Sequence, residues 1–168
     1  MRIQKKRAAI ALCFLLLALC ACRNTGASRG STEEKVTMDG FREFYYTFSN
    51  INYNAEYQRY HFYVKDGKRM FFHDHRQVVE DYGPAEEKDR TRFGEFELTD
   101  AEWEKFAAFL IKGTARDRKE NTDSGDSGPW LYLYRENYDP QGQEFYFDSY
   151  GTLKEFERFC EGLADSGR

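Results

Sequence analysis

Between residues 40 and 165 the apolar positions of this chain recur with two different periods, and each period predicts a kind of element. A period of two runs through "FREFYYTFS", where Phe44, Tyr46 and Phe48 share a side, and through "YQRYHFYV", where Tyr60, Phe62 and Val64 do. "RMFFHDH", "RFGEFEL", "WLYLYRE" and "QEFYFDS" have the same aromatic-rich character. Such runs, separated by turn signals like "KDGK" and "NYDPQG", predict antiparallel strands, because successive strand side chains point to opposite faces. The second period, 3.6 residues, occurs twice. In "LTDAEWEKFAAFLIKG", Trp103, Phe106, Ala107, Leu110 and Ile111 form one stripe, with Gly113 placed to end the helix. In "GTLKEFERFCEGLADSG" the stripe is Phe156, Phe159, Cys160 and Leu163. Thr99 with Glu102, and Thr152 with Glu155, predict capping boxes in which each hydroxyl takes an orphan N–H and the glutamate returns to the cap. The expected fold is α+β: an antiparallel sheet of about six strands with two helices packed on one face, in the order β-β-β-β-α-β-β-α. The polar run from Ala115 to Gly128 is expected to be a loop between the two halves.

The hairpin around "VKDGK" has two registers. A two-residue Asp66-Gly67 turn pairs Val64 with Arg69 and Tyr60 with His73. A three-residue loop with Gly67 as a left-handed bulge pairs Val64 with Lys68, Phe62 with Met70 and Tyr60 with Phe72. The second aligns Tyr60, Phe62, Val64, Met70 and Phe72 on one face, so the hydrophobic pattern favours it. It also gathers His61, His73 and His75 on the opposite face, with His73 and His75 about 6.5–7 Å apart along their strand and His61 diagonally across. Three imidazoles with an open position form a known zinc ligand set. Zinc or copper binding through His61, His73 and His75 is therefore the alternative reading of function, set against a solvated hairpin face.

The first residues are of different character. Arg2, Lys5, Lys6 and Arg7 precede the 14-residue apolar run "AAIALCFLLLALCA". A basic start and a short apolar stretch make a secretory signal, too short for the roughly 20 residues a membrane span needs. Its end, Leu19-Cys20-Ala21-Cys22, resembles the bacterial lipobox. That resemblance implies a signal peptide over residues 1–21, cleavage before Cys22 and a covalent diacylglycerol on Cys22, carrying fatty acyl chains such as palmitate. Two acyl chains suffice for stable anchoring. The chain would then sit on the extracytoplasmic face of the bacterial cytoplasmic membrane, with residues 22–39 as lipidated cysteine and flexible tether and residues 40–165 as a single domain.

Charge and cysteine use agree with export. Cleavage removes four basic residues and no acidic one, leaving 21 against 29 and a formal charge of about −8. An acidic domain without a basic patch is no nucleic-acid binder. Cys160 would be the one cysteine of the domain outside the signal and anchor, so no internal disulfide is expected, and its place in a helical stripe makes it a core residue. No catalytic set stands out. Ser124 and Ser127 in "SGDSG" lack nucleophile-elbow spacing, and Asp123 and Asp126 lack the closing glutamate of a calcium loop. The chain therefore reads as non-catalytic, with no cofactor beyond the lipid. Its distinctive material is aromatic, with 12 Tyr and 15 Phe. Tyr45, Tyr63, Tyr132, Tyr134 and Tyr146 are the candidates for an uncovered sheet face that binds an envelope protein or cell-wall polymer, since tyrosine offers area and a polar handle at low entropic cost.

The order of "KDGKRMFF", "FELTDAEWEKFAAFL", "DSGDSGPWLYLYRENYDPQG" and "FERFCEGL" resembles small lipoproteins of Gram-positive (Firmicutes-type) bacteria that carry no assigned activity. The resemblance covers most of residues 44–163, implies a cell-envelope location, and brings no catalytic residues with it.

Overall fold

The computed structural model describes residues 33–118, 128–136, 138 and 140–166, all within one unit, Ser31–Arg168. Cys22, the signal and most of the expected tether lie outside these residues, as do Asp123, Ser124, Asp126 and Ser127. The chain is α+β. Eight strands form one antiparallel sheet: β1 Glu34–Lys35, β2 Phe41–Ser49, β3 Glu56–Lys65, β4 Lys68–Gln77, β5 Arg90–Glu97, β6 Gly113–Asp117, β7 Trp130–Arg135 and β8 Gln143–Phe147. Helix α1, Asp100–Leu110, follows β5, and helix α2, Tyr150–Ala164, follows β8. The spatial order is β1-β6-β8-β7-β2-β3-β4-β5.

Two strands beyond the six expected are β1 and β6, and both lie where polar coil was expected. In "GTARD" only small residues face inward, and Ala115 is fully buried opposite Phe145. Gly113 does not cap α1. It opens β6, where an added Cβ would meet the Phe145 ring at 2.2 Å. Strand β1 pairs Glu34 with Ala115 and Lys35 with Thr114, and Val36 enters the core. Glu34 also accepts hydrogen bonds from Arg135, from Tyr138 (2.9 Å) and from Gln143 (3.3 Å). Glu34–Val36 are thus part of the folded domain although they lie inside the segment expected to be tether.

Both helices lie on the same face of the sheet. Phe62 stacks on Phe106 of α1 with centroids 4.0 Å apart, while Phe44 packs edge-on to Phe156 of α2 at 5.6 Å. Phe109 of α1 meets Phe156 of α2 at 5.7 Å, which closes the layer. Thr99 forms the expected box with Glu102, its hydroxyl accepting from the Glu102 N–H. The α1 stripe is shifted, however: Phe109 is buried and Ile111 exposed. Helix α2 starts earlier than the Thr152 box predicts. Ser149 is its cap and accepts from the Thr152 N–H at 3.1 Å.

The hairpin register is the other correction. Asp66 and Gly67 both have positive φ, 52° and 75°, which makes a two-residue turn matched to the strand twist. Val64 therefore faces Arg69, Phe62 faces Phe71 and Tyr60 faces His73. Val64 and Met70 gave the other register its appeal, but Val64 lies near the hairpin tip and is 45% exposed. The inward residues of β4 are Phe71, His73 and His75.

Candidate functional site

The corrected register divides the three histidines. His73 and His75 face the helices, 4% and 6% exposed, while His61 points to the opposite face, across from Tyr45. The shared face on which the three-histidine set rested is absent, because a one-residue slip exchanges the faces of a strand. Among the described residues no group of three or more His, Cys, Asp or Glu is placed to hold a metal ion.

His73 and His75 instead serve the core. The His73 ring lies over Gly94, where an added Cβ would come within 2.8 Å of its Nε2. His75 Nδ1 faces Arg92 at 2.9 Å, and Arg92 reaches on to Asp165 at the end of α2. Burial, then the neighbouring Arg92 charge, holds His75 down to about 4 and lowers His73. Both rings are therefore neutral at pH 7. Between them in sequence, Asp74 turns to the other face, 3% exposed, and accepts from Arg76 (2.6 Å) and Arg90 (3.0 Å). Burial alone would raise its carboxyl, but these hydrogen bonds and charges outweigh it and hold the group below the usual carboxylate range.

The face away from the helices carries the tyrosines. Tyr45 pairs with Tyr132 on β7, and Glu43 with both Tyr134 and Tyr63. Tyr132 pairs with Glu144, two residues from Tyr146. All five candidate tyrosines consequently lie on this open face. Their rings are ordered by the strand ladder: Tyr45 stacks on His61 at 4.0 Å, and His61 on Tyr63 at 4.3 Å. Burial lowers the His61 pKa against the opposing pull of Glu43, so its 3.0 Å contact with that carboxylate is a hydrogen bond from neutral imidazole.

A groove of about 410 Å³ runs along this face between β3, β2 and β7. Tyr45, Tyr132 and Tyr134 line it. Tyr63 and Tyr146 lie outside, their hydroxyls bound to Glu95 and Glu144. Thr47, Tyr57 and Arg59 complete one wall, and Arg118 lies over the Tyr132 ring, 4.6 Å from its centroid. Glu43 is the carboxylate among the lining residues, and its Oε2 already accepts from Tyr45 at 2.6 Å and from His61. Burial, then this hydrogen bond to Glu43, raises the Tyr45 pKa, so its hydroxyl remains a donor. The result is an open trough with rings, hydroxyls and guanidiniums on its walls. Period-two alternation in "YQRYHFYV" places Tyr57 and Arg59 beside His61 and Tyr63, a signal available in the sequence. Arg118 carried no such signal, because β6 was not recognised. Comparisons with protein-family models, curated proteins and solved structures found no match. Among the described residues no helix is long and apolar enough to cross a membrane.

Proposed function

We propose that this chain is a lipid-anchored envelope protein whose domain holds a ligand in the open-face groove without transforming it. The observation that carries this reading is the asymmetry of the sheet. One face is sealed by two helices, while the other keeps a groove in which Tyr45, Tyr132 and Tyr134 stand beside two guanidiniums. A volume of about 410 Å³ lies within the range of small-ligand sites, and tyrosine-lined walls suit a hydroxylated or amide-bearing chain. The chemistry favours binding over catalysis, since Glu43 already holds Tyr45 and His61. The signal and lipobox-like segment ending at Cys22 support an extracytoplasmic anchor, which puts envelope polymers within reach.

Two measurements test this. Trp130 pairs with Thr47 at the groove, whereas Trp103 is buried on the inner side of α1, against the other face of the sheet, so a ligand should perturb the first indole and leave the second. Titrating the purified chain in detergent with cell-wall fragments should give a saturable fluorescence change that Tyr132→Ala abolishes with the melting temperature unchanged. No change at millimolar fragment would refute the binding reading. Separately, Cys22→Ser should move the protein from the membrane fraction to the soluble one, and retention in the membrane would refute the anchor.

A further inference from the structure

The groove has an imbalance that bears on what it holds. Elsewhere on the open face guanidiniums meet carboxylates: Arg76 and Arg90 share Asp74, and Arg116 holds Glu144. Arg59 and Arg118 do not. Among the described residues neither forms an ion pair, and each instead lies over a ring, Arg59 4.8 Å from the Tyr45 centroid and Arg118 4.6 Å from that of Tyr132. The Arg59 Nε is sealed from water and has no hydrogen-bond partner. A buried guanidinium N–H without an acceptor is a cost that an incoming anion can remove, and neither guanidinium has a direct ion pair among the described residues to displace.

The other lining groups point the same way. Guanidiniums donate and cannot accept. The hydroxyls of Thr47, Tyr57, Tyr132 and Tyr134 have no hydrogen-bond partner among the described residues, and the Glu43 carboxylate already has two. The groove therefore sets four unengaged hydroxyls, able to donate to an anion, beside two guanidiniums, while its lining carboxylate is already engaged through Oε2. It carries local positive charge on a chain whose net charge is −4. That combination admits an anion at one place and repels it over the rest of the surface.

We infer that the groove selects an anionic envelope polymer, whose carboxylate or phosphate groups bridge Arg59 and Arg118 while its backbone hydroxyls meet the tyrosines. The fork of each guanidinium matches either oxyanion bidentately. This inference rests on the groove being the ligand site, and the experiment separates the two. The full chain in detergent is titrated by calorimetry and Trp130 fluorescence with four probes: oligogalacturonate, oligo(glycerol phosphate), a neutral galactose oligomer of matched length, and inorganic phosphate. One anionic oligomer is expected to bind at least tenfold more tightly than the neutral one, and which of the two does so identifies the oxyanion. Binding should weaken with added salt. Arg59→Gln and Arg118→Gln should each weaken it about tenfold with unchanged melting temperature, and Arg59→Lys should retain part of the affinity.

Equal binding of neutral and anionic oligomers, abolished by Tyr132→Ala and untouched by Arg59→Gln, would overturn the anionic selection and leave the groove as the site. Saturation by inorganic phosphate with no gain for either oligomer would overturn the polymer. No binding of any probe would overturn both the selection and the site.

Discussion

Acid should loosen this fold at a pH well above that of ordinary carboxylate titration, and His75 is the main reason. Its ring is buried beside Arg92, and its pKa falls from the ordinary 6.5 to about 4. In the window between those values the unfolded chain binds a proton that the folded chain refuses. Stability therefore rises with pH there: His75's contribution is fully present above 6.5 and is lost as pH falls toward 4. Each unit of depression corresponds to about 1.4 kcal/mol, so the ceiling for His75 is about 3 kcal/mol, or about 2 once solvent relaxation around the charged ring is allowed. His73 and His61 shift in the same direction and add to the slope. Asp74, Glu34 and Glu144 are depressed carboxylates, so their loss comes below about pH 4.5 and leaves the histidine window clear. The assay is urea unfolding at half-unit steps from pH 7.5 to 4.5 for the natural chain and His75→Gln. The natural chain should lose about 2 kcal/mol more than the variant across this range. Parallel curves, or a His75 ring proton that titrates above pH 6 in the folded protein, would refute the argument.

Other substitutions probe the remaining contacts. Gly94→Ala should cost about 1–3 kcal/mol through overpacking against His73, and most of that cost should vanish in a His73→Ala background; additivity in this cycle would show that the ring is not the obstacle. Phe106→Ala removes the ring that stacks on Phe62 and touches Phe41, Phe44 and Trp103, and should cost about 3–5 kcal/mol in chemical denaturation. Thr99→Ala deletes the α1 cap and should cost about 1 kcal/mol, with Thr99→Asn restoring most of it. Thr152→Ala, by contrast, should be milder than Ser149→Ala, because Ser149 supplies the capping oxygen; the reverse ranking in thermal melts would reassign the cap.

How far the sequence reveals the fold depends on what each segment displays. The meander from β2 to β5 and both helices were legible, since Phe44, Tyr46, Tyr60, Phe62, Phe106 and Phe156 mark their buried faces unmistakably. Strand β6 was not, because Gly113 and Ala115 bury small side chains that leave no hydrophobic alternation to read. Strand β1 is two residues long and takes its place from Ala115 and Thr114, some 80 positions away. The hairpin register is misleading for a chemical reason: Val64 and Met70 align with the apolar face only in the bulged register, whereas the residues that fill the inner face of β4 beside Phe71 are the buried neutral rings of His73 and His75. The candidate groove was partly legible. Alternation alone puts Tyr45, Tyr57 and Arg59 on one side of their strands, but their union with Tyr132 and Arg118 requires β7 to pair with β2 and β6, which leads into Arg118, to join the sheet through β8.

Strand β1 has a mechanical consequence for any load that enters through the preceding chain. A pull at residue 33 meets first the two-residue ladder to β6 and the hydrogen bonds that Glu34 receives. Beyond it, Phe41 opens the central strand β2, with its ring against Trp103 and Phe106 at 5.3 and 5.6 Å. The first attachment is a short edge, and the second is pinned under a helix. Under tension β1 should detach as a fuse, releasing the eight residues from 33 to 40 as about 25 Å of slack. Meanwhile β2, and with it the groove, would remain folded. In a force-extension trace this would appear as a small early step followed by a much larger one.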